Sequence, residues 1–180
     1  RGGRYAYSNQ PDIAVWNMAQ LATALIQQMD NREEAAEQAT EIVHAMPDRI
    51  QTAWLDRFRA KLALADAQPG DVDLSAGLLR SMAENKADFT NGFRALGSDV
   101  ARDQFTDPAA YDAWAANWNR RRTGQPDPIP LIRAANPQLI PRNHRIEQMI
   151  QAAVAGDYAP FRRLNEALRT PYGDAPADLT

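Results

Sequence analysis

The sequence predicts an all-α protein, a helical bundle with no significant sheet. Apolar residues recur at spacings of three and four along most of the 180 residues, the pattern of helices that present one apolar face. Capping residues and prolines stand where these stretches begin, and glycines stand where they end. The chain shows neither the strict alternation of a β-strand nor an internal repeat.

The first helix is predicted from about Asp12 to Met29, with Pro11 suited to its first turn. Its apolar row consists of Met18, Leu21, Leu25 and Met29. Asn31 then stands three residues before Glu34, the spacing of a capping box at the start of a second helix. Pro47 is expected to end that helix, because proline removes a backbone donor and clashes with the preceding turn.

A third helix carries an apolar face after Pro47. The face consists of Ile50, Trp54, Phe58 and Leu62. After a loop at 67–73, Asp73 is predicted to cap a fourth helix, and a short helical piece over 89–96 ends near Gly97.

The stretch from Asp107 to Gly124 has the most complete helix signals in the chain. Asp107 is predicted as its cap, Pro108 occupies its first turn, and Gly124 ends it. Its buried face is predicted to consist of Tyr111, Trp114 and Trp118.

The remaining chain is predicted to begin with a linker at 125–130, where three prolines favour extended backbone. A short helical turn at 131–135 and an irregular loop at 136–143 follow. Two more helices are expected, the first ended by Gly156 and the second capped by Asp157. The predicted domain is a helical unit over 12–172, with a sub-boundary at 125–130 and a tail at 173–180.

Composition excludes several classes of site and partner. With no cysteine in the sequence, disulfides, thiolate nucleophiles and cysteine-ligated metals are excluded from these residues. A net charge of −3 is unlike the basic balance of nucleic-acid binders, so we expect no nucleic-acid partner. No apolar run approaches the length of a membrane span and no secretion leader is evident, so we expect no membrane partner and a cytoplasmic location. Arginine outnumbers lysine 18 to 2, which indicates a GC-rich bacterial source.

The polar candidates for chemistry all favour structural interpretations. His44 and His144 lie a hundred residues apart, outside any metal-ligand spacing. The run Arg120–Arg122 suits the last turn of a helix, where cations complement the dipole. Aromatic residues at helical spacing are typical of a core, and the acidic residues of the second helix form a solvated face. The spacing of residues alone therefore indicates no catalytic, nucleotide-binding or metal site.

Four motifs in order resemble one family. They are GGRYAYSNQP (2–11) followed by WNMAQLA (16–22), DFTNGFRAL (88–96), NPQLIPRN (136–143), and the tract from Gly156 to Tyr172. Together they resemble the selenoprotein O family of protein-kinase-like adenylyltransferases, and the likeness covers nearly the whole chain.

The resemblance implies a kinase-like fold, of which this chain is most of the helical C-terminal lobe. Members of that family are described as pseudokinases that bind ATP in a reversed pose and transfer AMP to Ser, Thr or Tyr hydroxyls of proteins. Their nucleotide-binding, catalytic-loop and metal-binding residues precede the GRYA motif. ATP and Mg²⁺ or Mn²⁺ are thus expected for the full-length protein, together with protein substrates and an N-terminal lobe, and no cofactor is expected on this fragment, which alone should be inactive.

The same resemblance makes residues 1–11 an activation-segment-like loop. Arg4, Tyr5 and Tyr7 would adjoin the missing active site and anchor the loop on the helical lobe. Two alternatives remain open from the residues themselves. One is a free-standing helical interaction module without catalysis, and the other is a nucleic-acid-binding domain that uses Arg120–Arg122, Arg142 and Arg145.

Overall fold

A computed structural model describes residues 6–179, and over that range it confirms the all-α prediction, with nine α-helices and no strand. The helices are α1 (Gln10–Ile26), α2 (Arg32–His44), α3 (Met46–Lys61), α4 (Asp71–Glu84), α5 (Phe89–Ala95), α6 (Pro108–Arg121), α7 (Pro128–Ala135), α8 (Asn143–Val154) and α9 (Ala159–Ala167). Short 3-10 turns occur at Tyr7–Asn9 and Arg102–Gln104. The chain divides into two compact units, Arg1–Asp56 and Arg57–Thr180.

The first unit contains a hairpin of α1 and α2. The side chain of Asn31 accepts a hydrogen bond from the backbone N–H of Glu34 at 3.4 Å and donates one to the Glu34 carboxylate at 2.9 Å. The predicted cap of α2 is therefore confirmed. Pro47 lies in the first turn of α3, directly after the end of α2, which confirms the predicted break.

The bounds of α1 differ from the prediction. The helix begins at Gln10 and ends at Ile26, so Met29 lies beyond it. Its apolar row continues into the turn before α2, and apolar spacing alone does not reveal where the backbone leaves the helix.

The second unit holds all the buried apolar side chains of the described range. The predicted buried face of α6 is confirmed, since Tyr111, Trp114 and Trp118 are each less than a tenth exposed. The indole rings of Trp114 and Trp118 stack with centroids 5.8 Å apart, and α6 packs against α4. The indole N–H of Trp114 donates to the carbonyl of Leu74 at 2.9 Å, so this ring is buried with its polar atom satisfied.

The end of α3 is completed by distant parts of the chain. Carbonyls in the last turn of a helix have no partner within that helix. Here the carbonyl of the last residue of α3 and the two that follow it receive side-chain donors: Lys61 from Asn136 Nδ2 at 3.0 Å, Leu62 from Trp118 Nε1 at 2.8 Å, and Ala63 from Arg122 Nε at 2.9 Å. The donors stand 56 to 75 residues further along the chain.

Two local predictions are wrong. The cap of α4 is Gly70, at a left-handed φ of 91°, and Asp73 lies inside the first turn. Residues 128–130 are helical, because α7 begins at Pro128 and the side chain of Asp127 accepts from the N–H of Ile129 at 3.1 Å. Proline fits the first turn of a helix because no donor is needed there. The domain boundaries predicted from the sequence stay predictions.

Candidate functional site

Two of the sequence motifs, 88–96 and 136–143, meet in the second unit. Arg142 donates to both carboxylate oxygens of Asp88, at 2.7 and 3.0 Å. One of those oxygens also accepts from the backbone N–H of Asn91 at 2.8 Å and so caps α5. The hydrogen bonds from Arg142 hold the pKa of Asp88 below its usual value. One ion pair thus fixes both the start of α5 and the residue before α8.

Arg94, in α5, makes a second link between the same two motifs. Its guanidinium donates to the carbonyls of Arg133 and Asn136 at 2.8 and 3.0 Å, and to the side chain of Gln138 at 3.2 Å. A planar guanidinium is suited to several oxygen acceptors at once. It therefore ties α5 to the end of α7 and to the loop that follows.

Asn136 lies at the centre of this arrangement and is fully buried. Its side-chain oxygen accepts from Lys61 Nζ at 3.1 Å, and its amide group donates to the carbonyls of Lys61 and Ile132, each at 3.0 Å. The Lys61 ammonium also lies over the rings of Phe89 and Phe93, 5.6 and 5.4 Å from their centroids. Burial lowers the pKa of Lys61.

We call these residues the motif bracket: Lys61, Asp88, Arg94, Asn136 and Arg142. Each of them bonds to other protein groups rather than projecting into open space. Beside the bracket lies an open cleft of about 360 Å³, lined in part by Arg94, Arg133, Gln138 and Asp174. The chemistry of the bracket is to hold four helices, α3, α5, α7 and α8, and the loop between α7 and α8 in fixed register.

A second polar cluster surrounds Asp71, whose side chain is fully buried. It accepts from Arg59 Nε and Arg121 Nε, both at 2.8 Å. Burial opposes ionisation of Asp71, but hydrogen bonds from Arg121, the Gln68 N–H and Arg59 outweigh it and hold its pKa below the usual value. Arg121 also donates to Asp66, which fixes the loop between α3 and α4.

The interpretation of Arg120–Arg122 as a helix end gains a tertiary explanation. Arg121 belongs to the Asp71 cluster, and Arg122 is buried. The guanidinium of Arg122 lies 5.3 Å from the ring centroid of Trp118 and donates to the carbonyl of Pro126. Two of the three arginines are thus bound within the protein, and the absence of a nucleic-acid partner stays a prediction.

The remaining candidates lie on exposed surfaces. His44 ends α2 and His144 lies in the first turn of α8. All four glutamates of α2 are exposed, as a solvated face predicts. Within residues 6–179, no three or more His, Asp or Glu side chains come together as a group that could hold a metal ion. None of the helices in this range has the length and apolar character needed to cross a bilayer.

The loop expected to adjoin an active site is only partly described. Arg4 and Tyr5 lie outside the described residues. Tyr7 begins the first 3-10 turn and is 60% exposed. The anchoring role assigned to these residues stays a prediction.

The sequence motifs 88–96 and 136–143 contain most of the bracket, but no structural role was predicted for its residues, and Arg142 was considered only as part of the nucleic-acid-binding alternative. The signal was available for Asp88, which stands directly before a helix, as capping residues do. For Lys61 the only signal in the sequence was that it is one of two lysines in the chain. The pairing of Asp71 with Arg121, 50 residues away, left no local signal.

Comparison with known proteins places the chain in a family. The family model described as Protein adenylyltransferase SelO matches residues 1–169. The protein nucleotidyltransferase YdiU of Ruegeria pomeroyi is 62% identical over 182 residues, which is 100% of this chain and 39% of that protein. Proteins of the same name from Roseobacter denitrificans and Jannaschia sp. are 59% and 47% identical, each covering 98% of this chain and 38% and 39% of the relative.

These relatives are much longer than the region they share with this sequence, so the chain spans about two fifths of the length of the curated relatives it matches. The family match nevertheless contains the first three motifs quoted from the sequence, including 88–96 and 136–143, and it reaches into the fourth as far as residue 169. On this evidence the chain belongs to the SelO family.

Proposed function

We propose that this chain is the C-terminal helical part of a protein adenylyltransferase. The parent protein would transfer AMP from ATP to Ser, Thr or Tyr hydroxyls of other proteins. The observation that carries the proposal is the family match over residues 1–169, supported by relatives named protein nucleotidyltransferase at up to 62% identity. The parent is proposed to be a cytoplasmic bacterial protein.

In the proposed reaction a substrate hydroxyl oxygen attacks the α-phosphorus of ATP. The bond between the α-phosphorus and its bridging oxygen to the β-phosphate breaks, and pyrophosphate leaves. The hydroxyl proton passes to a base or to solvent, and the product is an AMP phosphodiester on the protein. Such transfers depend mainly on positioning and on electrostatic stabilisation of the phosphates.

Residues 6–179 do not fit the role of a metal site, since no group of carboxylates or histidines that could hold an ion is found among them. The family resemblance places the nucleotide-binding and metal-binding residues before the GRYA motif, so we assign ATP and its Mg²⁺ or Mn²⁺ to the part of the parent outside this chain. The role proposed for these residues is mechanical. A lobe whose helices are fixed by the motif bracket supplies a rigid base on which catalytic loops can be held in place.

The activity is tested with the full-length parent and ATP labelled in turn at the α- and γ-phosphate. We expect protein-bound label from α-labelled ATP and none from γ-labelled ATP. Protein-bound label from the γ-phosphate would identify phosphoryl transfer and overturn the proposal. A parent chain with its nucleotide-binding residues replaced is the control for label that is bound to the protein without reaction.

A separate experiment tests the assignment of the nucleotide site to the part of the parent outside this chain. Titration calorimetry of residues 1–180 with ATP and Mg²⁺ is expected to show no micromolar binding. Tight, magnesium-dependent binding by this chain alone would contradict the assignment of the nucleotide site to the rest of the parent.

A further inference from the structure

The open cleft beside the motif bracket has both charged and apolar residues in its lining. Its volume is about 360 Å³, within the range of clefts that hold ligands. The lining includes the polar residues Arg133, Gln138 and Asp174 and the aliphatic residues Val100 and Ile129. All of these residues belong to the second unit. The cleft can therefore contact a charged group and an aliphatic group of the same ligand.

Arg133 supplies the cleft with a positive charge that is not paired. Its side chain is exposed, and its guanidinium makes no hydrogen bond or ion pair to any residue of 6–179. The guanidinium of Arg94, by contrast, is held by the carbonyls of Arg133 and Asn136 and by the side chain of Gln138. Burial, and then the like charge of Arg133, lower the pKa of Arg94. An anion bound at Arg133 would relieve this repulsion.

Gln138 supplies an oriented donor in the same cleft. Its side-chain oxygen accepts from Arg94 at 3.2 Å, which fixes the amide, and its backbone N–H donates to the carbonyl of Pro171 at 2.8 Å. The NH₂ group of that amide has no acceptor in the part of the chain that the structure describes. A guanidinium and an amide N–H are both donors, and a carboxylate accepts from several donors at once.

Positive charge exceeds negative charge among the lining residues. Two arginines, Arg94 and Arg133, face a single carboxylate, that of Asp174. Asp174 acts on Arg94 through its charge, but within residues 6–179 it forms no ion pair with either arginine. Complementary charge is what selects a partner at such a surface, so the cleft favours a ligand that carries a negative group.

We propose that this cleft binds an extended segment of a partner protein in which an aspartate or glutamate adjoins an aliphatic residue. The carboxylate would accept from Arg133 and from the amide of Gln138, and the aliphatic side chain would lie against Val100 and Ile129 and leave water. Because the cleft is open, a polypeptide can pass along it. The inference rests on the proposed function for the identity of the partner, since proteins are the proposed substrates.

Fluorescence anisotropy tests the binding with the full-length parent and the labelled peptide Gly-Val-Glu-Leu-Gly, in the absence of ATP. Replacing the glutamate of the peptide by glutamine should weaken binding by about tenfold or more, because hydrogen bonds to a charged group are the stronger ones. Replacing its valine and leucine by alanine should weaken binding by about fivefold. Equal binding of the glutamate and glutamine peptides, or no binding of the glutamate peptide up to about 1 mM, would overturn the proposal.

Variants of the parent locate the peptide. Arg133→Gln should weaken binding by about tenfold, and the fold should be kept, because this side chain bonds to no other described residue. Arg120→Gln is the matched control: it removes the same charge from an exposed arginine outside the cleft and should change binding by less than about twofold. Asp174→Asn should tighten binding by about two- to fivefold, since it removes a like charge, and a gain of affinity cannot result from misfolding. Unchanged binding in Arg133→Gln, or weaker binding in Asp174→Asn, would overturn the proposal.

Competition distinguishes a peptide segment from a free carboxylate. N-acetylglutamate lacks the aliphatic neighbours, so it should displace the labelled peptide only at a concentration about tenfold higher than the unlabelled peptide requires. Displacement at equal concentrations would assign the cleft to small carboxylates and overturn the proposal. Because binding is measured without ATP, a failure of AMP transfer in the labelling experiment would not affect this result, and a failure of peptide binding would leave the proposed transfer intact.

Discussion

Replacing Asp71 with asparagine keeps the shape of a buried side chain but removes its charge. The carboxylate is fully buried and accepts from Arg59, Arg121 and the backbone N–H of Gln68 at 2.8 to 3.0 Å. In the variant an amide N–H would face guanidinium donors, and both arginines would lose their counter-charge. We expect the region around α4 and α6 to lose stability.

The size of the expected loss in stability depends on how exposed the two arginines are. Removing one partner of a buried ion pair costs about 3–5 kcal/mol. The two arginines are 20% and 11% exposed, so water can solvate them in part, and we expect the lower end, about 3 kcal/mol. The Arg102–Asp112 pair is 51% exposed on both sides, so Asp112→Asn should cost less than about 1 kcal/mol.

Hydrogen exchange with mass spectrometry measures the loss of stability in the full-length parent, because it reports the free energy of local opening peptide by peptide. A loss of about 3 kcal/mol corresponds to exchange faster by about a hundredfold in peptides from α4 and α6. Asp112→Asn is the control and should change exchange by less than about fivefold. Equal effects of the two variants would show that burial does not set the strength of these pairs.

The effect of pH has a defined sign. The folded pKa of Asp71 lies below its ordinary value, because the arginine and N–H hydrogen bonds outweigh burial. An unfolded aspartate titrates near pH 3.9, roughly, so the stabilisation is present above that pH and is lost as pH falls toward the folded pKa. Exchange in α4 and α6, corrected for the intrinsic rate, should accelerate below about pH 4 in the wild type and less steeply in Asp71→Asn. Parallel profiles for the two proteins would contradict the linkage.

Three further substitutions test the core and the motif bracket, each by the same exchange measurement. Gly97→Ala should destabilise its region by about 2 kcal/mol or more, because φ is 78° and a Cβ would lie 3.3 Å from three side chains. Gly124→Ala is the control: its φ is 79° but its surroundings are open, so it should cost only about 1 kcal/mol. Equal costs for the two variants would contradict the claim that packing around Gly97 adds to the loss. Trp118→Phe should cost about 1–3 kcal/mol, since it leaves the carbonyl of Leu62 without its indole donor; an unchanged exchange rate at the end of α3 would show that this hydrogen bond adds nothing. Asn136→Ala should cost about 3 kcal/mol, because a fully buried side chain with three hydrogen bonds is lost, and an effect below about 1 kcal/mol would remove it from the bracket.

Local signals in the sequence predicted the helices well. Asn31, Pro47 and Asp107 act within four residues of their own position, and the structure places each where the sequence indicates. The aromatic face of α6 was equally predictable, because three large side chains at helical spacing have only one face to bury.

What the sequence did not predict depends on distant partners. Asp71 was overlooked in favour of Asp73 as a cap, although its side chain is held by arginines from α3 and α6. The roles of Arg94 and Asn136 appear only when 88–96 and 136–143 meet. Three prolines at 125–130 favoured extended backbone, yet Asp127 supplies the cap that lets Pro128 begin a helix.

The end of α3 has a consequence for the order in which the protein forms. The three carbonyls of residues 61–63 receive donors from residues 118–136, so this turn is synthesised long before its partners. A chain that leaves the ribosome from its N-terminus carries those oxygens bound only to water until α6 and the loop after α7 emerge. The last turn of α3 is therefore completed only when about three quarters of these residues have been made, and exchange in that turn should report on docking of the later helices.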